Sequence, residues 1–293
     1  MTRIARLALT FILVVLGVRS ETQVVITQGE RPQRIVAVVP AVTEMLFAIG
    51  AGPQVVGVSS FARYPALVES LPRVGALLDP DVEQILSLEP DLVVLYSSQT
   101  DAIEQMSRAG INVLPYSHGG IRDVTEMLRE LGRRTGQADK AHAVVSSIES
   151  MLTAVAVRVS SRAKPRVLLV IGRDPDMIRN VYASGGIGFL HEMITAAGGE
   201  NIFAHINREA VQPTSEGILG TAPEVIVEVR AEGMLSPDKV SEQRNVWQSL
   251  SSIPAVRRRR VYFLTGNDLI VPGPRLAQAT ERLARVLHPT AFE

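Results

Sequence analysis

The sequence predicts an α/β protein of two lobes joined by one long helix. Three observations lead there. From Arg34 onward, short β-branched runs alternate with amphipathic stretches, the pattern of α/β units with parallel strands. The alternation pauses once, at residues 138–163, the longest stretch free of proline and glycine. It then resumes, and a helix–strand unit of the first half, DVEQILSLEPDLVVLY (81–96), returns in the second as TSEGILGTAPEVIVEV (214–229).

Taken in order, RIVAVV (34–39), VVGVSS (55–60), DLVVLYS (91–97) and INVLPYS (111–117) read as strands. Between and after them come helices at 41–52, 81–90, 100–110 and 121–136, closed by Gly50 or Gly52, Pro90, Gly110 and Gly136. Within 138–163, Val144, Val145, Ile148, Leu152 and Val155 recur at helical spacing. Such a helix would be about 40 Å long, more than one core needs and suited to a strut. The second lobe repeats the scheme, with strands at 165–172, 224–230 and 260–266 and helices at 188–199, 215–223, 238–250 and 274–288. Trp247 falls in the third of these helices, which reads as a surface element.

The chain has 293 residues, 46% of them hydrophobic, enough for a sizeable core. Its formal charge is zero, which gives no electrostatic footprint for nucleic acid. At the start, Arg3 and Arg6 precede the apolar run 7–18, with Val18 and Ser20 at −3 and −1 of a cleavage site. That run is too short for a bilayer span and reads as a secretory signal peptide over 1–20. Its removal leaves 27 basic and 30 acidic residues, a net charge of −3. There is no cysteine, so the expectation is a soluble periplasmic protein with neither disulfide nor lipid anchor. The expected division is then 21–137 for the first lobe, 138–163 for the connecting helix and 164–293 for the second lobe.

In each copy of the repeated unit a capping residue, Asp81 or Thr214, stands two positions before a glutamate. Glu83 and Glu216 therefore belong in first helical turns, where a carboxylate complements the helix dipole by about 0.3–1 kcal/mol. Two matched carboxylates, one per lobe, also suit a partner of two-fold symmetry that offers an arginine to each.

RIVAVVPAVTEMLFAIGA (34–51), VVGVSSFARYP (55–65), LPRVGALLDPDVEQILSLEPDLVVLY (71–96), AGINVLPY (109–116), AAGGENIFA (196–204), SEGILGTAPEVIV (215–227) and PGPRLAQA (272–279) together resemble the periplasmic substrate-binding proteins of ABC importers for cobalamin, haem and ferric siderophores. The resemblance implies a class III fold, two Rossmann-like lobes on one rigid helix, with the ligand held between them. It puts the docking glutamates on Glu83 and Glu216 and implies an ABC permease dimer with its ATPase subunits as partner. It also implies a monomer that is not an enzyme and has no intrinsic cofactor, its ligand a cobalt- or iron-containing chelate.

Open α/β sheets bind ligands at the carboxyl ends of their strands. The cleft candidates are therefore Pro40, Ala41, Val42 and Thr43 after the first strand, and Phe61, Arg63 and Tyr64 after the second. Tyr96 follows the third strand, Tyr116 and His118 the fourth, Arg173 and Tyr182 the first strand of the second half, and Asn267 and Asp268 its last. Aromatic walls suit a large flat macrocycle. His118 is the candidate axial ligand, while Arg63 and Arg173 could neutralise haem propionates or an anionic siderophore. Phe61 and Tyr96 fall on aromatic positions of the cobalamin-binding branch, whereas Leu77 or Leu78 and Ala210 stand where that branch has tryptophans. A corrinoid is the first expectation, haem or a siderophore the alternative. An exported α/β enzyme is the distant rival. Against it, the sequence has no cysteine, G-x-S-x-G or H-E-x-x-H, and SGGIGF (184–189) lacks the ending of a phosphate loop.

Overall fold

The structure is a computed structural model and describes residues 31–231 and 236–293. The expected signal peptide, with Val18 and Ser20, lies outside the described residues. In the first half β1 (Ile35–Ala37), β2 (Val55–Val58), β3 (Leu92–Tyr96) and β4 (Asn112–Tyr116) form a parallel sheet in the order β2-β1-β3-β4. Side chains alternate across it. Ile35, Ala37, Leu92 and Val94 enter one core with α1 (Pro40–Ala48) and α4 (Ile121–Thr135). Val36, Val38, Val93 and Leu95 enter another with α2 (Val82–Ser87) and α3 (Thr100–Arg108). A strand covered on both faces has no polar position, which is why these runs are continuously apolar in sequence.

The second half begins after α5 (Ala138–Val159). Its strands are β5 (Arg166–Gly172), β6 (Tyr182–Ser184), β7 (Glu200–Asn201), β8 (Ala210–Val211), β9 (Val225–Arg230) and β10 (Val261–Thr265). They run in the order β10-β9-β5-β6-β8, with β7 also on β5. The long strands are parallel, as expected, whereas β6 is antiparallel to β5 and β8 to β6. These short strands carry too few residues for a period of two to show in the sequence. Helices α6 (Gly188–Ala196), α7 (Ser215–Thr221), α8 (Pro237–Val246), α9 (Pro254–Arg257) and α10 (Leu276–Leu287) complete this half.

Two helices, rather than the expected one, draw on the cores of both halves. From α5, a 22-residue helix, Ala141, Val145 and Ile148 pack in the first half, and Val155 and Val159 in the second. From α10, Leu276 and Ala277 join the first core, while Ala279, Leu283 and Leu287 join the second.

The repeated unit is a structural repeat down to its hydrogen bonds. Asp81 accepts from Gln84 N at 2.9 Å and Thr214 from Gly217 N at 3.2 Å, each capping its helix. Both helices end on a residue in the left-handed region, Glu89 at φ 46° and Ala222 at φ 43°. The acidic residue after the proline then takes the amide that opens the neighbouring strand, Asp91 that of Arg34 at 3.1 Å and Glu224 that of Arg166 at 3.1 Å.

Trp247 corrects the expectation of a surface position, since it is fully buried where α8 ends. Its indole donates to Glu228, which also accepts from Arg173 Nε at 2.8 Å. Glu228→Ala would leave the Arg173 guanidinium, 2% exposed, without its carboxylate. We expect a loss of about 3–5 kcal/mol in urea unfolding, accompanied by a red shift of the Trp247 emission.

Candidate functional site

Parallel pairing places residues at equal heights, and the register of β3 on β4 sets Tyr96 beside Tyr116. Their rings meet edge to face with centroids 5.8 Å apart. Two residues on, the His118 ring lies 5.3 Å from Tyr96 and 5.5 Å from Tyr116. The chain behind this cluster is tied down by Ser97 Oγ and Ser117 Oγ at 2.7 Å and by Gln99, whose amide oxygen accepts from Tyr96 N at 2.8 Å. The Gln99 amide nitrogen donates to Ala76 O and Leu77 O at 3.0 and 3.1 Å, fixing the turn that carries the exposed Leu77 and Leu78. Burial raises the Tyr96 and Tyr116 hydroxyl pKa values above the ordinary phenol value. It lowers that of His118, against the weaker opposing effect of the Glu209 carboxylate.

Two cavities lie between the strand ends of the two halves, and a third, lined by the second half alone, adjoins them. The first, 310 Å³, has His118 on one side and Ile171, Ile187, Phe189, Glu209 and Ile270 on the other. The second, 180 Å³, is lined by Pro40, Glu44, Phe61, Arg63, Asn267 and Ile270. The third, 260 Å³, is more polar and holds Arg173, Glu228, Arg230 and Ala231 beside Ile171 and Ile270. Ile270 is common to all three, so they are parts of one cleft. A further cavity of 590 Å³ runs along α4 and is the one that Tyr116 and Ser117 line; there Glu130 pairs with Arg133 and Arg134 of the same helix.

Carboxylates cross the cleft's edges. Glu44 on α1 receives both Nε (2.9 Å) and Nη2 (2.6 Å) of Arg275, just before α10, a bidentate pair. Arg275 also lies over the Tyr64 ring, 4.0 Å from its centroid. Burial raises the Glu44 pKa, and the guanidinium opposes that rise. On another edge Glu192 of α6 accepts from Ile121 N at 2.7 Å and so caps α4.

Several expected site residues stand elsewhere. Ala41, Val42 and Thr43 are not cleft walls. Pro40 already occupies the first position of α1, so the three side chains turn into the core, with Thr43 Oγ1 donating to Val39 O. Only Pro40 of that stretch lines a cavity. Arg173 is likewise withdrawn, because Glu228, Gln243 and the Asp174 and Pro175 carbonyls take its donors. The Asp268 carboxylate is bound by Arg282 at 2.7 Å. Tyr182 is 46% exposed and lines none of the three cavities. Phe61, 68% exposed, Arg63 and Asn267 do line the cleft, with Arg63 donating to Ser60 O and Ala62 O.

The sequence reading missed Ile171, Ile187, Phe189, Glu209, Arg230 and Ile270. One signal was present: Ile270 and Val271 are apolar residues in a turn after the last strand. SGGIGF is also explained. A Cβ on Gly185 would stand 2.0 Å from Arg208 O and one on Gly186 2.2 Å from Ala204 O, so close backbone packing requires these glycines. The segment delivers Ile187 and Phe189 to the cleft. Glu83 and Glu216 are exposed in the first turns of α2 and α7. The Glu216 pKa is lowered by its own backbone amide and the Thr214 hydroxyl. Leu86 and Leu219, three residues further along each helix, are also exposed. Among the described residues no three His, Cys, Asp or Glu side chains group as a metal site.

Comparison with known proteins follows the same outline. The family described as periplasmic binding protein matches residues 35–267. A Bacillus subtilis protein named as an uncharacterised ABC transporter substrate-binding lipoprotein is 32% identical, over 92% of this chain and 84% of its own length. The vitamin B12-binding protein of Salmonella paratyphi A is 28% identical, over 87% of this chain and 90% of its own. The solved periplasmic vitamin B12-binding protein of Vibrio cholerae superposes with a TM-score of 0.75 at 21% identity, covering 90% of this chain and 99% of that one.

A desolvated imidazole with a lowered pKa disfavours the folded state once the unfolded chain takes up its proton. Between pH 7.5 and pH 5.5 wild type should therefore lose more stability than His118→Gln. The loss should begin near the ordinary imidazole value of about 6.5 and grow as the pH falls. Urea midpoints at the two pH values check this, and parallel losses in both proteins would remove the effect.

Proposed function

Since the chain belongs to the periplasmic binding protein family, we propose that it receives a bulky metal chelate, a corrinoid first, for an ABC importer. One observation carries this reading: His118, stacked against Tyr96 and Tyr116, faces the apolar residues Ile171, Ile187 and Phe189 across one cavity. Edge and face contacts of this kind suit a broad, largely apolar macrocycle, and a few polar groups then fix its orientation. His118 is kept neutral at pH 7 by its lowered pKa, so its lone pair is available to a cobalt or iron centre. The name of the Salmonella relative supports the corrinoid reading.

In the same reading residues 21–137 and 164–293 are the lobes and 138–163 the element between them. Export as a soluble periplasmic monomer through a signal peptide over 1–20 belongs to it, supported by the absence of a cysteine to carry lipid. Glu83 and Glu216 are the handles for a permease dimer with its ATPase subunits, one on each half. The exposed Leu86 and Leu219 add an apolar contact beside each.

Titration of the purified protein with cobalamin, cobinamide, haemin and ferric siderophores, read by calorimetry and absorbance, tests the ligand. Cobalamin is expected to bind stoichiometrically and raise the melting temperature; a protein indifferent to all of them refutes the reading. Tyr96→Ala should weaken corrinoid binding by about 1–3 kcal/mol through lost aromatic burial. Glu83→Ala combined with Glu216→Ala should keep that affinity and abolish uptake by cells, and an unchanged uptake rate would end the docking assignment.

A further inference from the structure

At the amino ends of the second sheet's strands, the pole opposite the cleft, two basic segments come together. Residues 158–166 hold three arginines and one lysine and no acid, and 257–260 are four arginines. The order β10-β9-β5 sets the starts of these strands side by side, with Arg260 just before β10 and Arg166 opening β5. Backbone bonds tie them there, Ile226 N donating to Arg260 O at 3.0 Å and Glu224 N to Arg166 O at 2.8 Å. Part of this charge serves the fold. Arg260 donates to Leu287 O at 2.8 Å and Arg162 to Thr290 O at 3.3 Å, both at the end of α10, and Arg258 pairs with Glu224 at 3.4 Å. The rest does not. Lys164, Arg257 and Arg259 are exposed, without an ion pair or side-chain hydrogen bond among the described residues. Arg259 also takes the left-handed backbone, φ 56°, which disfavours any residue with a Cβ and points to a role for the side chain held there. Glu224, Glu200 opposite Arg166, and Glu293 beyond the Phe292 ring that Arg158 covers are three carboxylates against eight cations. The surplus acts on its neighbours. Burial lowers the His288 pKa, the Gly198 carbonyl opposes that, and Arg260 and Arg162 lower it further.

We propose that this pole of the second half is an electrostatic docking surface for a lipid bilayer with anionic headgroups. The cations are spread over the starts of three adjacent strands, about 10 Å across at the ordinary strand spacing, and over the end of α5. Long side chains presenting point charges over such an area match a field of phosphates, and clusters of about four to eight Lys and Arg bind anionic membrane surfaces in this way. Val157, 68% exposed beside Arg158, adds an apolar contact. The strands run from this pole toward the cleft, so a docked molecule holds its cleft away from the bilayer. The surface stands on charge and placement and is independent of which chelate the cleft receives.

The test is co-sedimentation of the full chain with vesicles of phosphatidylcholine alone or mixed with phosphatidylglycerol. Vesicles with about 30% of the anionic lipid should take up at least about tenfold more wild type than neutral ones at about 0.1 M salt. That difference should vanish near 1 M, where screening shortens to about 3 Å. Lys164→Glu, Arg257→Glu and Arg259→Glu combined should bring uptake down to that of the neutral vesicles. Their urea midpoint should match wild type, because none of the three has an internal partner; if it does not, Arg257→Gln with Arg259→Gln, which reverses no charge, should still lower uptake severalfold. Arg257→Lys with Arg259→Lys should keep it. Arg108→Glu with Arg122→Glu, on helices of the first half, controls for net charge and should leave uptake unchanged. All variants share every other segment of the chain, so a difference between them belongs to this pole. Equal uptake by both kinds of vesicle would overturn the surface, as would anionic uptake that ignores the triple variant or falls equally in the first-half control. Retention on an acidic polypeptide without uptake by anionic vesicles would also overturn it, in favour of a protein partner.

Discussion

The burial of α5 and α10 in two hydrophobic cores at once is the constraint on which the rest of this molecule depends. Each helix places apolar side chains at one end among the strands of the first sheet and at the other among those of the second. The cleft exists because the strand ends of the two sheets are held at a fixed spacing, and that spacing is a property of these helices. Hydrophobic burial supplies the energy without direction. Directional contacts at the edges then fix the geometry, Glu44 to Arg275 on one side and Glu192 to the opening amide of α4 on another.

Charge in the cleft region is organised by pairing. Glu44 holds Arg275, Asp268 holds Arg282, and Glu228 serves both Arg173 and Arg230. A buried guanidinium with its carboxylate adds little net stability compared with an apolar pair, but removing one partner is costly. Such pairs therefore fix position more than they add energy. The aromatic cluster is placed by different means, through the parallel register of β3 on β4, which needs no charge.

The long elements were legible because each is an autonomous pattern. Apolar runs marked strands buried on both faces, and Asp81, Thr214, Pro90 and Pro223 punctuated the repeated helices as capping chemistry requires. The aromatic cluster was legible too, since Tyr96, Tyr116 and His118 follow strands whose ends could be read, but of the three only His118 lines a cleft cavity. Errors came where one residue of register decides. The loop after β1 is so short that Pro40 already begins α1, which turns Ala41, Val42 and Thr43 inward. Trp247 follows a polar helix and was taken with it, but the turn after α8 drops it beside Glu228. Arg230 and Glu209 gave no local signal at all. Their role comes from what the other chain segments bring opposite them, and no window of sequence contains both sides.

The order of the chain gives α10 a significance of its own. The last helix in sequence supplies Leu276 and Ala277 to the core begun by the first strand, and Arg275 to a carboxylate more than two hundred residues earlier. A polypeptide emerging from a ribosome or threading a translocation pore amino end first cannot finish packing its leading half until its tail has followed. Such a chain stays pliable until its closing segment arrives and locks only then.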